Sequence, residues 1–395
     1  MRPSSSPAHH DTPVHCPRQI CADLFLLMYA AHMSTDHDTV PLSANRRMVS
    51  LVRESRGWSQ AELARAAGVT QGYVSKVENG LVQLTDNRLD EFAHALGCPT
   101  KLLTNHDAQR GLEVSCMFHR RRHSRMTVTT AKKIEAVSHL TRITVDSLLT
   151  DGLQTPTALQ RMDIDEYGGD AEEVARIARA RWNVPSGPVD SVYEILDSLG
   201  VVVVIRELDS TAQDAFSTWP PGHRPLMVVR KGLSADRERF TVSHELGHIL
   251  MHSMPNESQE QQADLFAAGF LMPADEIRGD LQGLTTRDFD RLLDLKAQWR
   301  VSVAALIQRA KTLEIISDRQ FREFRIKLSR LGWNTVEPID IPGDAPRLLD
   351  TVVAGQYRDQ GLTEAELASR AYMTPGAFRK HYLDHTSLGQ TETGI

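Results

Sequence analysis

Residues Trp58–Gly80 read WSQAELARAAGVTQGYVSKVENG and predict two short helices separated by a tight turn. Ser59 and Glu62 have the S-x-x-E spacing of a capping box, which begins the first helix. Gly68 tolerates a positive φ and is typical of the residue that ends such a helix. Thr70 is placed to cap the second helix, whose apolar residues lie on one face. The stretch therefore predicts a helix-turn-helix.

The second of these helices presents a polar face that suits the major groove of DNA. Gln71 can bond a base edge through two hydrogen bonds, Gly72 allows close approach, and Lys76 can reach a base or a phosphate. Gln60, on the first helix, can donate to the DNA backbone beside it. The candidate DNA-binding residues are Gln60, Thr70, Gln71, Gly72, Tyr73, Ser75 and Lys76.

The stretch Trp58–Gly80 resembles the second and third helices of Xre/Cro-type repressors. The resemblance implies a five-helix DNA-binding domain that works as a homodimer on a palindromic double-stranded operator. A modest local excess of cations supports DNA binding, and a basic run, FHRRRHSR at Phe118–Arg125, follows. That run is equally well explained as a solvated loop.

A second motif, HELGH at His244–His248, lies in a predicted helix from Ala235 to about Met251. Two histidines four residues apart on a helix point to one side, where their neutral nitrogens can bind Zn²⁺. Glu245, between them, can reach a water molecule on the metal as a general base. His252 has the same spacing and is expected on the helix face rather than among the ligands. His223 and Tyr193 are candidate donors to an oxyanion.

The third ligand is expected from a second amphipathic helix, EQQADLFAA, that follows the motif. Glu260 is the favoured ligand and Glu257 is the alternative. Asp264, one turn after Glu260, can accept a hydrogen bond from a liganding histidine and hold its tautomer.

HELGH followed by E-x-x-A-D-x-F-A-A-x-F-L-M-P resembles the ImmA/IrrE family of zinc metallopeptidases. The likeness extends over about residues 170–315 and implies a gluzincin-like site on a small α+β domain. It assigns His244, His248 and Glu260 as metal ligands and Glu245 as the catalytic base. Members of this family typically cleave a helix-turn-helix repressor. The short gap between His248 and Glu260 leaves the third ligand open to Glu257.

Composition and charge exclude some classes of protein. The 395 residues carry 45 Lys and Arg against 51 Asp and Glu, so the chain is not basic throughout. The apolar stretch Ile20–Met33 is too short to span a membrane, which takes about 20 residues. Cys16, Cys21, Cys98 and Cys116 form no C-x-x-C pair, which argues against a disulfide framework and favours the cytoplasm.

We expect a multidomain chain: an all-α helix-turn-helix domain, an α+β zincin-like metallopeptidase domain and a helical C-terminal extension. The expected bounds are 1–40 for a disordered extension, 41–105 for the DNA-binding domain and 106–160 for a basic connector with a helix at Thr130–Leu149. The peptidase domain is expected at 161–317 and the extension at 318–395. Residues 1–32 are interpreted as dispensable or as the product of a start codon placed too early.

The apolar runs Leu199–Ile205 and Leu226–Arg230 predict strands. Val336–Pro346 is rich in proline and predicts a hinge before a last helical pair, and no repeat of solenoid period is visible.

These observations predict a DNA-binding transcriptional regulator that carries a zinc-dependent endopeptidase. Its expected substrate is a repressor-type protein, cleaved in a stress, phage or mobile-element response, and no membrane partner is expected. One alternative is a non-proteolytic repressor whose zinc domain senses a ligand or a partner. Another is an antitoxin-like regulator in a two-gene stress module.

Overall fold

The computed structural model describes residues 43–106, 127–150, 157–208, 213–254 and 256–384. All of them lie in one compact unit, Ser43–Ile395. The predictions for residues 1–32 and for the basic run at Phe118–Arg125 fall outside the described residues. Within the described ranges, no helix combines the length and apolar character needed to cross a lipid bilayer.

Residues 43–106 fold into a small helical domain around one apolar core. Ser59 and Glu62 form the predicted capping box, and Thr70 accepts a hydrogen bond from the backbone N–H of Tyr73. Gly68 has a φ of 65°, as the turn between the two helices requires. The helices of this range are α1 Arg46–Ser55, α2 Gln60–Ala66, α3 Gln71–Glu78, α4 Asp86–Ala95 and α5 Thr100–Leu103.

Helix α6, Val128–Leu149, starts two residues before its predicted position and packs against both the first helical domain and the region that follows it. Leu140 and Ile143 pack against the core of the first helical domain. Arg142 is buried and donates to the carbonyl oxygens of Arg224, at 2.6 Å, and Thr218, at 2.9 Å. The helix therefore links the DNA-binding domain to the mixed α/β region that follows.

A three-stranded sheet lies at the centre of the α/β region. Its strands are β1 Val202–Arg206, β2 Ala215–Thr218 and β3 Leu226–Arg230, in the order β1-β3-β2. β1 runs parallel to β3 and β2 runs antiparallel to it. The sequence predicted β3 correctly but started β1 too early, because Leu199 caps the preceding helix. It missed β2, whose four residues are too few to show a period.

Both faces of the sheet are buried, which explains the continuous apolar run in β1. Val203, Met227 and Val229 face a large core formed with the helices of the α/β region. Val202 and Val228 face the opposite side, which we call the outer face, and pack against α6 and the C-terminal helices. The architecture around the sheet therefore has three layers.

The helices on the inner side of the sheet hold one another through buried arginines. Arg179 donates to the carbonyl oxygen of Phe270 at 2.7 Å, and Arg309 donates to that of Met272 at 3.0 Å. These bonds fix the C-terminal end of α10. After a 3₁₀ turn at Ile164–Tyr167, the helices are α7 Ala171–Arg181, α8 Val192–Ser198, α9 Ala235–Met251, α10 Gln259–Leu271, α11 Ala274–Leu281, α12 Phe289–Trp299, α13 Val303–Thr312 and α14 Asp318–Arg330.

The proline-rich segment Val336–Pro346 forms no helix or strand, as predicted, and its side chains attach it to the rest of the fold. Glu337 accepts from the ammonium of Lys296 at 2.7 Å, and Asp344 accepts from the hydroxyl of Ser191 at 2.6 Å. Beyond it lie the helices of the outer face: α15 Leu348–Arg358, α16 Glu364–Arg370 and α17 Pro375–Phe378, which continues into a π-helical turn, Arg379–Leu383.

Candidate metal centre and DNA-contacting surface

Helix α9 carries the HELGH motif across the inner face of the sheet. Its spacing places His244 and His248 one turn apart, with their Nε2 atoms 3.0 Å from each other. Gly247 allows α10 to pass close to α9, because a Cβ there would lie only 3.0 Å from the Phe266 ring. The glycine therefore permits the approach that brings Glu260 to the two histidines.

The three predicted ligands come together in the structure. Glu260 Oε2 lies 3.6 Å from His244 Nε2, and Glu260 Oε1 lies 3.4 Å from His248 Nε2. One ligand atom from each residue falls within 4.8 Å of the others. Glu257 is exposed in the turn before α10 and does not belong to this cluster.

The cluster has the composition and spacing that a zinc ion requires. Two imidazole nitrogens and one carboxylate oxygen form a ligand set found in zinc enzymes. Ligand atoms at about 2.1 Å from a tetrahedral zinc ion lie about 3.4 Å apart. The separations of 3.0, 3.4 and 3.6 Å agree with that geometry. With His244, His248 and Glu260 as ligands, a zinc ion would keep a fourth position for water or another ligand.

Each histidine of the cluster has a partner on its other ring nitrogen. Asp264 Oδ1 lies 2.8 Å from His244 Nδ1, so the carboxylate accepts a hydrogen bond from the Nδ1 N–H. The proton stays on Nδ1, which leaves Nε2 with its lone pair. His248 Nδ1 lies 3.1 Å from His252 Nδ1, and His252 Nε2 lies 3.0 Å from the side-chain oxygen of Gln262. A consistent assignment of protons runs from His248 through His252 to Gln262, and again leaves the Nε2 of His248 as an acceptor.

His252 is not one of the three clustered residues, as expected, but it lies at the end of the helix rather than within it. It is the C-cap of α9, with a φ of −113°, so its side chain leaves the helical path. Only 3% of the residue is exposed. It contacts His248, which the helical spacing alone did not predict.

Burial favours the neutral form of the His248 and His252 imidazoles. Desolvation lowers the pKa of His248, and it lowers the pKa of His252 to about 4, with a further lowering by the neighbouring His248. Both rings are therefore neutral at pH 7. A neutral imidazole has the lone pair that a ligand or a hydrogen-bond acceptor requires.

Glu245 is completely buried beside the cluster. Its charge acts to raise the pKa of His248, although burial of His248 has the larger, opposite effect. The hydroxyl of Ser217, on β2, donates to Glu245 Oε2 at 2.8 Å. Sequence reasoning missed Ser217 because it missed β2. The arrangement supplies a carboxylate oriented by the sheet next to three candidate metal ligands.

The two candidate oxyanion donors have other partners. The hydroxyl of Tyr193 donates a hydrogen bond of 2.7 Å to Glu238, a residue on the first turn of α9. His223 Nδ1 lies 2.8 Å from a carboxylate oxygen of Asp146, on α6.

The candidate DNA-binding residues occupy the surface of α2 and α3. Thr70, Gln71, Gly72 and Lys76 are exposed, while Gln60 and Ser75 are half-buried. Gln71 donates to the side-chain oxygen of Gln60 at 2.9 Å, and Gln60 donates to a carboxylate oxygen of Glu78 at 2.8 Å. The two glutamines are therefore held beside each other on the surface that would meet DNA.

One residue assigned to that surface, Tyr73, and one cation of the same domain, Arg53, are partly or wholly buried. Tyr73 was expected to point outward, but it is half-buried and its ring centroid lies 6.3 Å from that of Phe92. Arg53, which contributed to the local excess of cations, is buried and its Nε lies 2.5 Å from a carboxylate oxygen of Glu78. This buried pair removes one cation and one anion together, so the local excess of cations is unchanged.

Two family models match ranges of the chain that contain these residues. A model described as helix-turn-helix matches residues 50–103. A peptidase-family model described as IrrE N-terminal-like domain matches residues 196–311, which include all of α9 and α10. The chain joins a helix-turn-helix domain to an ImmA/IrrE-type domain. No curated protein matches it.

The ImmA/IrrE-type domain provides the mixed α/β part of the multidomain fold predicted from the sequence. The helix-turn-helix domain precedes it, and helices follow it. The chain thus combines a DNA-binding domain with a protease-like domain, and the cluster of His244, His248 and Glu260 lies in the second of them.

Proposed function

We propose that this chain is a DNA-binding transcriptional regulator whose ImmA/IrrE-type domain is a zinc-dependent endopeptidase. The observation that carries the proposal is the position of the buried Glu245 carboxylate beside the cluster of His244, His248 and Glu260, whose ligand atoms lie within 4.8 Å. A structural role alone does not require three ligand atoms with an adjacent carboxylate.

In this proposal His244, His248 and Glu260 hold the metal and Glu245 moves the proton. Bound zinc would act as a Lewis acid that lowers the pKa of water toward about 7 and polarises the scissile carbonyl. Glu245 accepts the proton of the attacking water and delivers it to the nitrogen of the leaving amine. The hydrogen bond from Ser217 orients the carboxylate for both transfers.

The proposed substrate is a helix-turn-helix repressor, and the proposed site of action is the cytoplasm. Support for the substrate comes from the resemblance to ImmA/IrrE peptidases, whose members cleave such repressors. The helix-turn-helix domain, which we propose works as a homodimer, would hold the peptidase near promoters where repressors bind. That placement would raise the effective concentration of substrate without any new contact.

The test combines metal analysis with cleavage assays. Purified full-length protein should contain stoichiometric zinc and should cleave a repressor encoded near its own gene. A chelator should abolish cleavage and added zinc should restore it. Stoichiometric zinc without cleavage of any neighbouring repressor would instead favour a non-proteolytic regulator whose zinc domain senses a ligand or a partner.

A further inference from the structure

The C-terminal helices repeat the sequence of the helix-turn-helix domain. Gly57–Lys76 reads GWSQAELARAAGVTQGYVSK, and Gly361–Lys380 reads GLTEAELASRAYMTPGAFRK. The two segments align without a gap, and nine of their twenty positions are identical. The two copies lie near opposite ends of the described residues, so the repeat has no solenoid period.

The local structure repeats with the sequence. Thr363 and Glu366 form a capping box at the start of α16, as Ser59 and Glu62 do at the start of α2. Both α2 and α16 begin one residue after their capping residue and extend over seven residues.

The turn that follows has the same conformation in both copies. Tyr372 has a left-handed φ of 55° at the position of a glycine in the first copy, whose φ is 65°. The backbone N–H of Met373 donates to the carbonyl oxygen of Ala368 at 2.9 Å, and the equivalent bond from Val69 to Ala64 is also 2.9 Å long. The second copy therefore keeps the turn geometry without the glycine.

The preceding helix also repeats. Met48, Val49 and Val52 of α1 are buried, and the aligned positions on α15 are buried as well. In the first domain α4 and α5 close this core. In the second copy the outer face of the sheet and α6 close it, with Thr144 and Ser147 of α6 donating to main-chain oxygens at the end of α16.

Docking on the sheet leaves the outward side of the last helix exposed. Phe378 is buried like the aligned valine of α3, while Pro375 and Gly376 are exposed like Gln71 and Gly72. The side chain of Lys380, which aligns with Lys76, is 62% exposed. The same positions therefore face solvent in both copies.

We propose that residues 348–383 form a second helix-turn-helix, and that it binds the phosphate backbone of double-stranded DNA through Lys380. Lysine is a cation that neutralises phosphate in this way. The pair of Lys380 with Glu207, at 3.4 Å, is exposed on both sides and contributes little, so a phosphate can replace the carboxylate.

The second motif lacks the groups that would read bases. The amides of Gln60 and Gln71 are replaced by the carboxylate of Glu364 and by Pro375, which has no polar side chain. Glu364 is itself held by the guanidinium of Arg379, with 3.1 Å between Arg379 Nε and the carboxylate. The contact therefore adds affinity without sequence preference, and extends DNA binding beyond the helix-turn-helix domain at residues 50–103.

The test measures binding of full-length Lys380→Ala to a labelled mixed-sequence duplex over a range of salt concentrations. Loss of one phosphate contact should reduce the magnitude of the slope of log K against log salt by about 0.9. The decrease in affinity between low and moderate salt should accordingly become smaller by about three- to fourfold for a fourfold increase in salt. A separate variant, Gly376→Glu, adds a carboxylate at a position where the Cβ meets open space. It should weaken DNA binding more than Lys380→Ala does.

The control is Arg319→Ala, which removes one cation from an 85% exposed side chain on α14. It should leave the salt slope unchanged, and all three variants should melt at the temperature of the unmodified protein. A salt slope for Lys380→Ala equal to that of Arg319→Ala, together with undiminished binding by Gly376→Glu, would overturn the proposal and leave the second motif as a packing element of the sheet.

Discussion

Replacing His252 with alanine should weaken zinc binding more than replacing Asp264, although the carboxylate is the stronger acceptor. His252 and Asp264 each contact the Nδ1 atom of one candidate ligand, at 3.1 Å and 2.8 Å. Loss of such a partner typically costs 10- to 100-fold in metal affinity. The size of the loss for each variant within that range depends on whether water can replace the missing hydrogen-bond acceptor.

Asp264 and His252 differ in their exposure to solvent. The Asp264 side chain is 61% exposed, so water can accept the His244 proton when the carboxylate is removed. We expect about a tenfold loss for Asp264→Ala, or about 1.4 kcal/mol. His248 and His252 are 4% and 3% exposed, so a cavity at position 252 would leave the His248 N–H without a ready acceptor. We expect about a hundredfold loss for His252→Ala, or about 2.7 kcal/mol.

Competition with a chromophoric chelator measures the zinc dissociation constant of each purified variant. His252→Asn provides the matched control, because its side-chain oxygen takes a position similar to that of Nδ1 and should recover much of the affinity. His223→Ala should leave the affinity unchanged, since His223 pairs with Asp146 on α6. Equal affinities for His252→Ala and the unmodified protein, or a larger loss for Asp264→Ala, would refute the argument from burial.

Four further predictions follow from the two sites and the core. Glu245→Gln should keep stoichiometric zinc and lose proteolysis, because the base is not a ligand; retained cleavage would exclude the proposed proton transfer. Glu260→Ala should lower metal content whereas Glu257→Ala should not, and metal analysis showing the reverse would move the third ligand to Glu257. Gln71→Ala should weaken binding to the DNA upstream of the protein's own gene by about 1–3 kcal/mol relative to mixed-sequence DNA; an equal loss on both DNAs would argue against base reading by α3. Lys296→Met should cost about 3–5 kcal/mol in urea unfolding, because it leaves two buried carboxylates without their cation, and a loss below 1 kcal/mol would show that they find another partner.

Motifs with a helical period were predictable from the sequence, since their spacing determines which side chains share a face. The proximity of the His244 and His248 side chains follows from their four-residue spacing on α9 alone. The choice of Glu260 over Glu257 as the residue beside them depended on where α10 begins, at Gln259, and on the close passage of α9 and α10.

Side chains that reach the site from other elements were not predictable. Ser217 lies on a strand of four residues, and its contact with Glu245 joins elements far apart in sequence. The end of α9 at Met251 was predicted, but the contact of the C-cap residue His252 with His248 was not, because it depends on backbone angles that residue spacing does not give. The contacts that anchor Val336–Pro346 were not predictable for a related reason, since the partners of Glu337 and Asp344 are distant in sequence.

Helix α6, through Arg142 and its neighbours, contacts both domains. A displacement of this helix can therefore affect both. Its guanidinium holds Thr218, the residue after Ser217, while Leu140 and Ile143 on the same helix pack against the helix-turn-helix domain. If DNA shifts α6, the shift reaches the strand that orients Glu245. Thermodynamic linkage then requires reciprocity: whatever factor DNA imposes on ligand affinity at the metal centre, a ligand there imposes on affinity for DNA. In that case a ligand bound at the metal centre would change the affinity of the protein for DNA.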